Sequence, residues 1–132
     1  MLLDAAPGTP LLAQFSRLRP GMHLPAHCGL TNYQLTVHLG VRIPPGCTIR
    51  VASETRTWTE GRCLVFDDSF VHEVWHRGEQ DRVVLLARFW HPDLTEVEID
   101  ALLAIDEEVG PLLGETAEEC KASLDRLSRL PR

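Results

Sequence analysis

Short runs of alternating apolar and polar residues dominate the chain up to about residue 92. Leu35, Val37, Leu39, Val41 and Ile43 alternate with Thr36, His38, Gly40 and Arg42, a period of two that predicts a half-buried strand. Pro44-Pro45-Gly46 then marks a turn, and Cys47 to Val51 returns as a second strand. Thr55 to Trp58, Arg62 to Phe66, Val71 to Trp75 and Arg82 to Phe89 repeat the pattern, separated by Glu60-Gly61, an acidic loop and a turn near Gly78. With Leu12 to Leu18 and a short piece from Met22 to Pro25, the prediction is about eight strands, the number a jelly roll uses.

After Trp90-His91-Pro92 the period changes to that of helices. Thr95 with Glu98 forms a capping-box pair that opens a helix through about Glu107. Gly110-Pro111 is read as its terminator, and Thr116 with Glu119 as the opening of a second helix. The expected architecture is therefore an all-β core over residues 11–92 with a short helical tail over 95–130.

Composition narrows the function without naming it. A chain of 132 residues suits a single core. Its net charge of −6 argues against nucleic-acid binding, which calls for a basic surface. No apolar run reaches the roughly 20 residues of a membrane helix, and the start lacks the basic segment of a signal peptide. As written, the chain reads as cytoplasmic. Cys28, Cys47, Cys63 and Cys120 have no C-x-x-C spacing, so a zinc ribbon is not expected and free thiols are.

Two histidines stand out by their surroundings. His27 lies in a turn just before Gly29, where backbone can approach a ligand closely. His72 follows the acidic loop Asp67-Asp68-Ser69-Phe70. Arg82 opens a strand so apolar that its charge needs a partner, either an internal carboxylate or a bound dicarboxylate. His38 shares a strand face with Gln34 and Thr36. Pattern alone favours that face in water, with the alternating aliphatics in the core; the other reading puts it inside a barrel holding a polar ligand. His23, His76 and His91 are read as structural, and Asp67-Asp68 as a turn capped by Asp.

From Phe15 to Thr95 the chain resembles the aspartyl/asparaginyl β-hydroxylase family of iron(II)- and 2-oxoglutarate-dependent dioxygenases. The residues that carry this are Phe15-Ser16, Pro20-Gly21, His27-x-Gly29-x-Thr31-Asn32, His38-Leu39-Gly40, Glu54 to Trp58, Glu60-Gly61, Phe66 to Trp75, Arg82 and Trp90-His91-Pro92. The resemblance implies a double-stranded β-helix of cupin-like jelly-roll form, with His27 and His72 as the metal ligands and catalytic pair. It further implies that Ser16 and Arg82 hold the distal carboxylate of 2-oxoglutarate, with His38 near its other end, and this moves the His38 face to the barrel interior. Fe(II), 2-oxoglutarate and O2 would be the cofactor set, and the reaction would couple decarboxylation to hydroxylation of an unactivated C–H bond.

The departures bear on substrate. Gly29 stands where many oxygenases of this fold place a third, carboxylate ligand, a loss this family shares; ligand count alone leaves halogenation open. Gln34 and Thr36 stand where protein-hydroxylating members carry arginines, and Arg88 where an acidic residue is expected. The implied partner is an aspartyl- or asparaginyl-containing peptide or protein. A free amino acid or other small molecule is the alternative, and a catalytically inactive jelly-roll binding module a third reading. Only fourteen residues precede Phe15, so the domain reads as N-terminally truncated or minimal. A missing anchor would place the protein at a membrane or in the endoplasmic reticulum.

Overall fold

The computed structural model describes residues 11–113, with side chains described through residue 105. The strands are β1 (Leu12–Leu18), β2 (His23–His27), β3 (Gln34–Arg42), β4 (Cys47–Val51), β5 (Glu54–Arg56), β6 (Cys63–Phe66), β7 (His72–His76) and β8 (Arg82–Trp90), followed by helix α1 (Glu96–Leu113). They form two four-stranded sheets, one in the order β1-β8-β3-β6 and the other in the order β2-β7-β4-β5. Every strand pairing is antiparallel, and apart from the β4–β5 hairpin, which stays within one sheet, successive strands alternate between sheets, as in a jelly roll.

The apolar core lies between the sheets and is built from Leu18, Cys47, Ile49, Trp58, Val74 and Val84. Met22, Leu24, Ile43, Val51, Leu64 and Phe66 close around it. Trp58 falls just past β5, outside the strand predicted for it, and is 3% exposed. A close approach permits this. A β-carbon on Gly40 would collide with the Thr59 carbonyl, so only glycine on β3 lets the 59–62 turn press against the sheet. Gly61 N–H donates to the Gly40 carbonyl at 2.8 Å, and Gly40 N–H to the Arg62 carbonyl at 3.0 Å.

The face of β3 expected in water on pattern alone is interior. Thr36 and His38 are 3% and 7% exposed, whereas Val41 on the opposite face is 48% exposed. The alternation is that of a strand whose polar face is turned into the barrel interior, as the resemblance implied. Cys28, Cys47 and Cys63 are free thiols, as expected, and Cys120 lies outside the described residues.

The chain divides between residues 93 and 94 into two compact units. At the start of the second, the capping box forms: Thr95 N–H donates to Glu98 Oε2 at 2.8 Å, and Glu98 N–H to Thr95 Oγ1 at 3.3 Å. These bonds to Thr95 hold the Glu98 carboxyl below its usual range. The expected break at Gly110-Pro111 is absent, and α1 runs through both residues to Leu113. Pro111 lacks the N–H that would reach the Glu107 carbonyl, which removes one bond near the helix end without stopping it. The second predicted helix lies outside the described residues. Among them, no helix is long and apolar enough to cross a membrane.

Candidate active site

His27 and His72 are 45 positions apart in sequence and directly opposite in space. They pair across β2 and β7 after a register shift following Leu24, and their ring centroids lie 4.2 Å apart. Each imidazole is fixed by its own backbone. His27 Nδ1 donates to the Pro25 carbonyl at 2.7 Å, and His72 Nδ1 donates to the Phe70 carbonyl at 3.0 Å. With the proton held on Nδ1, Nε2 keeps its lone pair on both rings, the tautomer a metal ligand requires. Desolvation pushes the His72 pKa down, the bond to Phe70 opposes it, and nearby His27 lowers it further.

The other sheet supplies a cationic cradle. Arg82, on β8, is 2% exposed and the largest fully buried side chain. Its guanidinium carbon lies 4.7 Å from the centroid of Trp58, and Nη2 donates weakly to Ser16 Oγ at 3.4 Å. Nε and Nη1 have no partner. Burial lowers its pKa to about 10. No carboxylate pairs with this charge among the described residues. Next to it, Trp58 Nε1–H donates to His38 Nδ1 at 3.2 Å. His38 therefore carries its proton on Nε2, which is buried and has no acceptor. Burial first, then the charges of Arg82 and His72, lower its pKa to about 3. His38 is a neutral donor at physiological pH.

Arg82 and His38 thus leave three N–H directions of one pocket unanswered. An orphaned buried donor costs about 1–3 kcal/mol, more for a charged group, so the cradle fits an anion bearing several acceptors. A 2-oxo dicarboxylate has that character. The two lone-pair imidazoles fit a divalent transition metal. Among the described residues no group of three His, Cys, Asp or Glu side chains assembles as a metal cluster.

Gly29 explains part of this. A β-carbon there would lie 2.8 Å from Asp68 Oδ1, so the space where a third ligand would branch is filled by the Asp68 side chain. Gly29 N–H also donates to the Asp68 carbonyl at 2.7 Å. The Asp67-Asp68 turn is capped by Asp, as expected, but by only one of the two. Asp67 does that, accepting from Ser69 N–H at 2.9 Å, whereas Asp68 is buried and accepts from the Thr36 hydroxyl at 3.1 Å. Its Oδ2 also faces Arg88 Nη2 at 3.4 Å. Asp68, Trp58 and Arg88 are the site residues that pattern alone missed; the inward register of β8, which puts Arg88 on the same face as Arg82, was the available signal. Gln34 lies half-buried opposite Trp90. His76 is structural as expected, with Nε2 donating to the Gln80 carbonyl at 2.6 Å and Nδ1 3.2 Å from Cys47 Sγ.

Residues 2–92 match the family model described as aspartyl/asparaginyl β-hydroxylase. The chain belongs to the aspartyl/asparaginyl β-hydroxylase family. It is 48% identical over 93 residues to the mouse aspartyl/asparaginyl β-hydroxylase, covering 70% of this chain and 13% of that protein. Against the human protein the figures are 47% over 93 residues, with 70% and 12% covered. The chain therefore spans a small part of the curated relatives it matches. Among solved structures, a cupin domain from Schizosaccharomyces pombe superposes with a TM-score of 0.51 at 8% identity, covering 60% of this chain and 55% of that one. That likeness concerns the fold alone, a cupin-like jelly roll.

Proposed function

We propose that this domain is an Fe(II)- and 2-oxoglutarate-dependent dioxygenase that hydroxylates the β-carbon of aspartyl or asparaginyl residues in a peptide or protein. The observation that carries the reading is a fully buried guanidinium with no carboxylate partner among the described residues, together with two imidazoles whose lone pairs are held free. His27 and His72 would hold the metal. Arg82 and the Ser16 hydroxyl would take the distal carboxylate of 2-oxoglutarate, and His38 Nε2–H would donate at its other end. When bound, iron and 2-oxoglutarate supply the oxygen activation and the reducing equivalents for breaking a C–H bond.

The protein's own contribution is position and exclusion of water. Trp58 fixes the His38 tautomer and packs on the Arg82 guanidinium, so both donors are oriented before the cosubstrate arrives. Phe66, with ring centroids 5.2 Å from His38 and 5.6 Å from His72, screens the space between them. An inactive binding module would have no use for so costly an arrangement.

The same chemistry on a free amino acid or other small molecule is favoured by one observation: Gln34 and Thr36, on the inner face of β3, are neutral. Succinate formation under Fe(II), 2-oxoglutarate and O2, with aspartyl and asparaginyl peptides against the free amino acids, separates the two. Peptide-dependent succinate with a 16-dalton gain on the peptide supports the leading reading. Stimulation by free amino acids alone supports the other.

A further inference from the structure

Four buried side-chain nitrogens among the described residues lack a partner: His38 Nε2, Arg82 Nε, Arg82 Nη1 and Arg88 Nε. The first three belong to the cradle assigned above to the cosubstrate. The fourth is elsewhere. Arg82 and Arg88 are six residues apart on β8 and share its inner face, which separates their backbones by roughly 20 Å. Arg88 pairs in register with buried Thr36.

Phe66, which shares Arg88's row through Thr36, has its ring centroid 5.6 Å from that of His72 and 5.2 Å from that of His38. On one side the histidine pair is linked to Arg82 through His38 and Trp58, which donates to His38 Nδ1 and packs on the Arg82 guanidinium. On the other, the Asp68 carbonyl accepts from the N–H of Gly29, two residues after His27, and the Asp68 side chain faces Arg88 Nη2 at 3.4 Å. The interior thus has a cation on each side of the candidate metal ligands, and only one is spoken for. The two also differ in access. Arg82 is sealed, whereas the Arg88 side chain is 40% exposed while its Nε stays buried. A ligand from solution can reach it.

Asp68 does not use up this charge. At 3.4 Å the contact is longer than the 2.7–2.9 Å typical of a charge-assisted bond, and it engages Nη2 alone. A guanidinium offers five N–H donors. In its own row across the sheet, Arg88 has Leu12, Thr36 and Phe66, so no second cation competes for an incoming anion. Asp68 serves as a tether that turns the fork inward.

We infer that Arg88 is the specificity-determining residue for the substrate, binding a substrate carboxylate on the side of the histidine pair opposite 2-oxoglutarate and so selecting an acidic side chain over its amide. This rests on the proposed function for the meaning of "substrate", but the carboxylate site can be tested without turnover.

Blocked aspartate and blocked asparagine (N-acetyl, methylamide) are titrated calorimetrically into the whole chain, with and without Mn(II) and 2-oxoglutarate. The loaded wild type is expected to bind the acid about 10-fold or more tightly than the amide, the size of one charge-assisted contact. Arg88→Gln should bring the ratio to about one, chiefly by weakening the acid, and Arg88→Lys should keep part of the preference because it retains charge but not the fork. The wild-type ratio needs no variant to fold, and circular dichroism checks the variants. A wild type that loads Mn(II) and 2-oxoglutarate but shows no preference overturns this inference and leaves the proposed function standing. One that fails to load them yet discriminates acid from amide overturns the proposed function and keeps the carboxylate site. Binding of neither compound, or a preference that survives in Arg88→Gln, also overturns the inference.

Discussion

Replacing Arg82 with methionine should stabilise the empty protein and ruin its cosubstrate site. The guanidinium is 2% exposed and has no carboxylate partner among the described residues. Its pKa falls from the usual arginine range to about 10, with burial as the leading cause. That difference corresponds to about 3 kcal/mol disfavouring the charged form in the folded state. The unfolded chain binds the proton more tightly, so the penalty is present in full below pH 10 and is relieved only as pH rises above 10 toward the ordinary arginine range. Methionine has a similar volume and no charge. Against the gain stand the cation–π contact with Trp58, worth up to about 2 kcal/mol when desolvated, and the weak bond to Ser16. The net expectation is a gain of about 1–2 kcal/mol in urea unfolding at neutral pH, in line with buried charges replaced by apolar isosteres. Cosubstrate binding moves the other way: losing a buried charge-assisted contact costs about 3 kcal/mol, or about 100-fold in Kd. At 2-oxoglutarate and Mn(II) concentrations about 100 times the wild-type Kd, wild type gains about 2.7 kcal/mol and the variant well under 1. The order of stabilities should then narrow or reverse. An Arg82→Met protein clearly less stable than wild type without ligand would refute the reasoning, because the arginine would then have an internal role that outweighs its burial.

Three further expectations follow from the same geometry. A β-carbon at Gly29 would meet Asp68 Oδ1 at 2.8 Å, so Gly29→Ala should cost about 1–3 kcal/mol in chemical denaturation; in an Asp68→Ala background most of that cost should disappear, and an equal cost in both would contradict the packing. Gly40→Ala forces backbone against backbone at the Thr59 carbonyl and should be the more damaging change, with near-ultraviolet circular dichroism reporting loss of Trp58 packing. His38 stays neutral down to about pH 3 when folded but takes a proton near 6.5 when unfolded. Its contribution is therefore complete above pH 6.5 and is lost as pH falls toward 3, a total on the order of 5 kcal/mol; His38→Gln should flatten that acid slope, and identical slopes would remove the assignment.

The strands were legible because their apolar residues recur every second position and their turns carry Pro and Gly. Which face of β3 points inward was not legible from the pattern. A strand lining a polar pocket and a strand facing water show the same alternation, and only the resemblance to a known family separated them. His27 and His72 were recognisable singly, but their meeting depends on a register shift in β2 that no local signal announces. Asp68 was hidden by its neighbour: Asp67 caps the turn, so the pair reads as one turn signal although the two side chains point to different tasks. Trp58 sits past the end of β5, and its burial depends on Gly40, eighteen positions earlier, admitting the turn that follows it. Gly110-Pro111 misled in the opposite direction, since a proline near a helix end removes one hydrogen bond and need not end the helix.

The central claim is that one pocket binds a metal through His27 and His72 and a 2-oxo dicarboxylate through Arg82. The most direct measurement is an anaerobic titration of the purified chain with Fe(II) and 2-oxoglutarate, following the visible charge-transfer band of the chelated complex. The account predicts a saturable band in wild type, none in His72→Ala, and a band in Arg82→Met only at about 100-fold higher 2-oxoglutarate. A folded, monodisperse wild type that gives no band, or a band that survives His72→Ala unchanged, would contradict it.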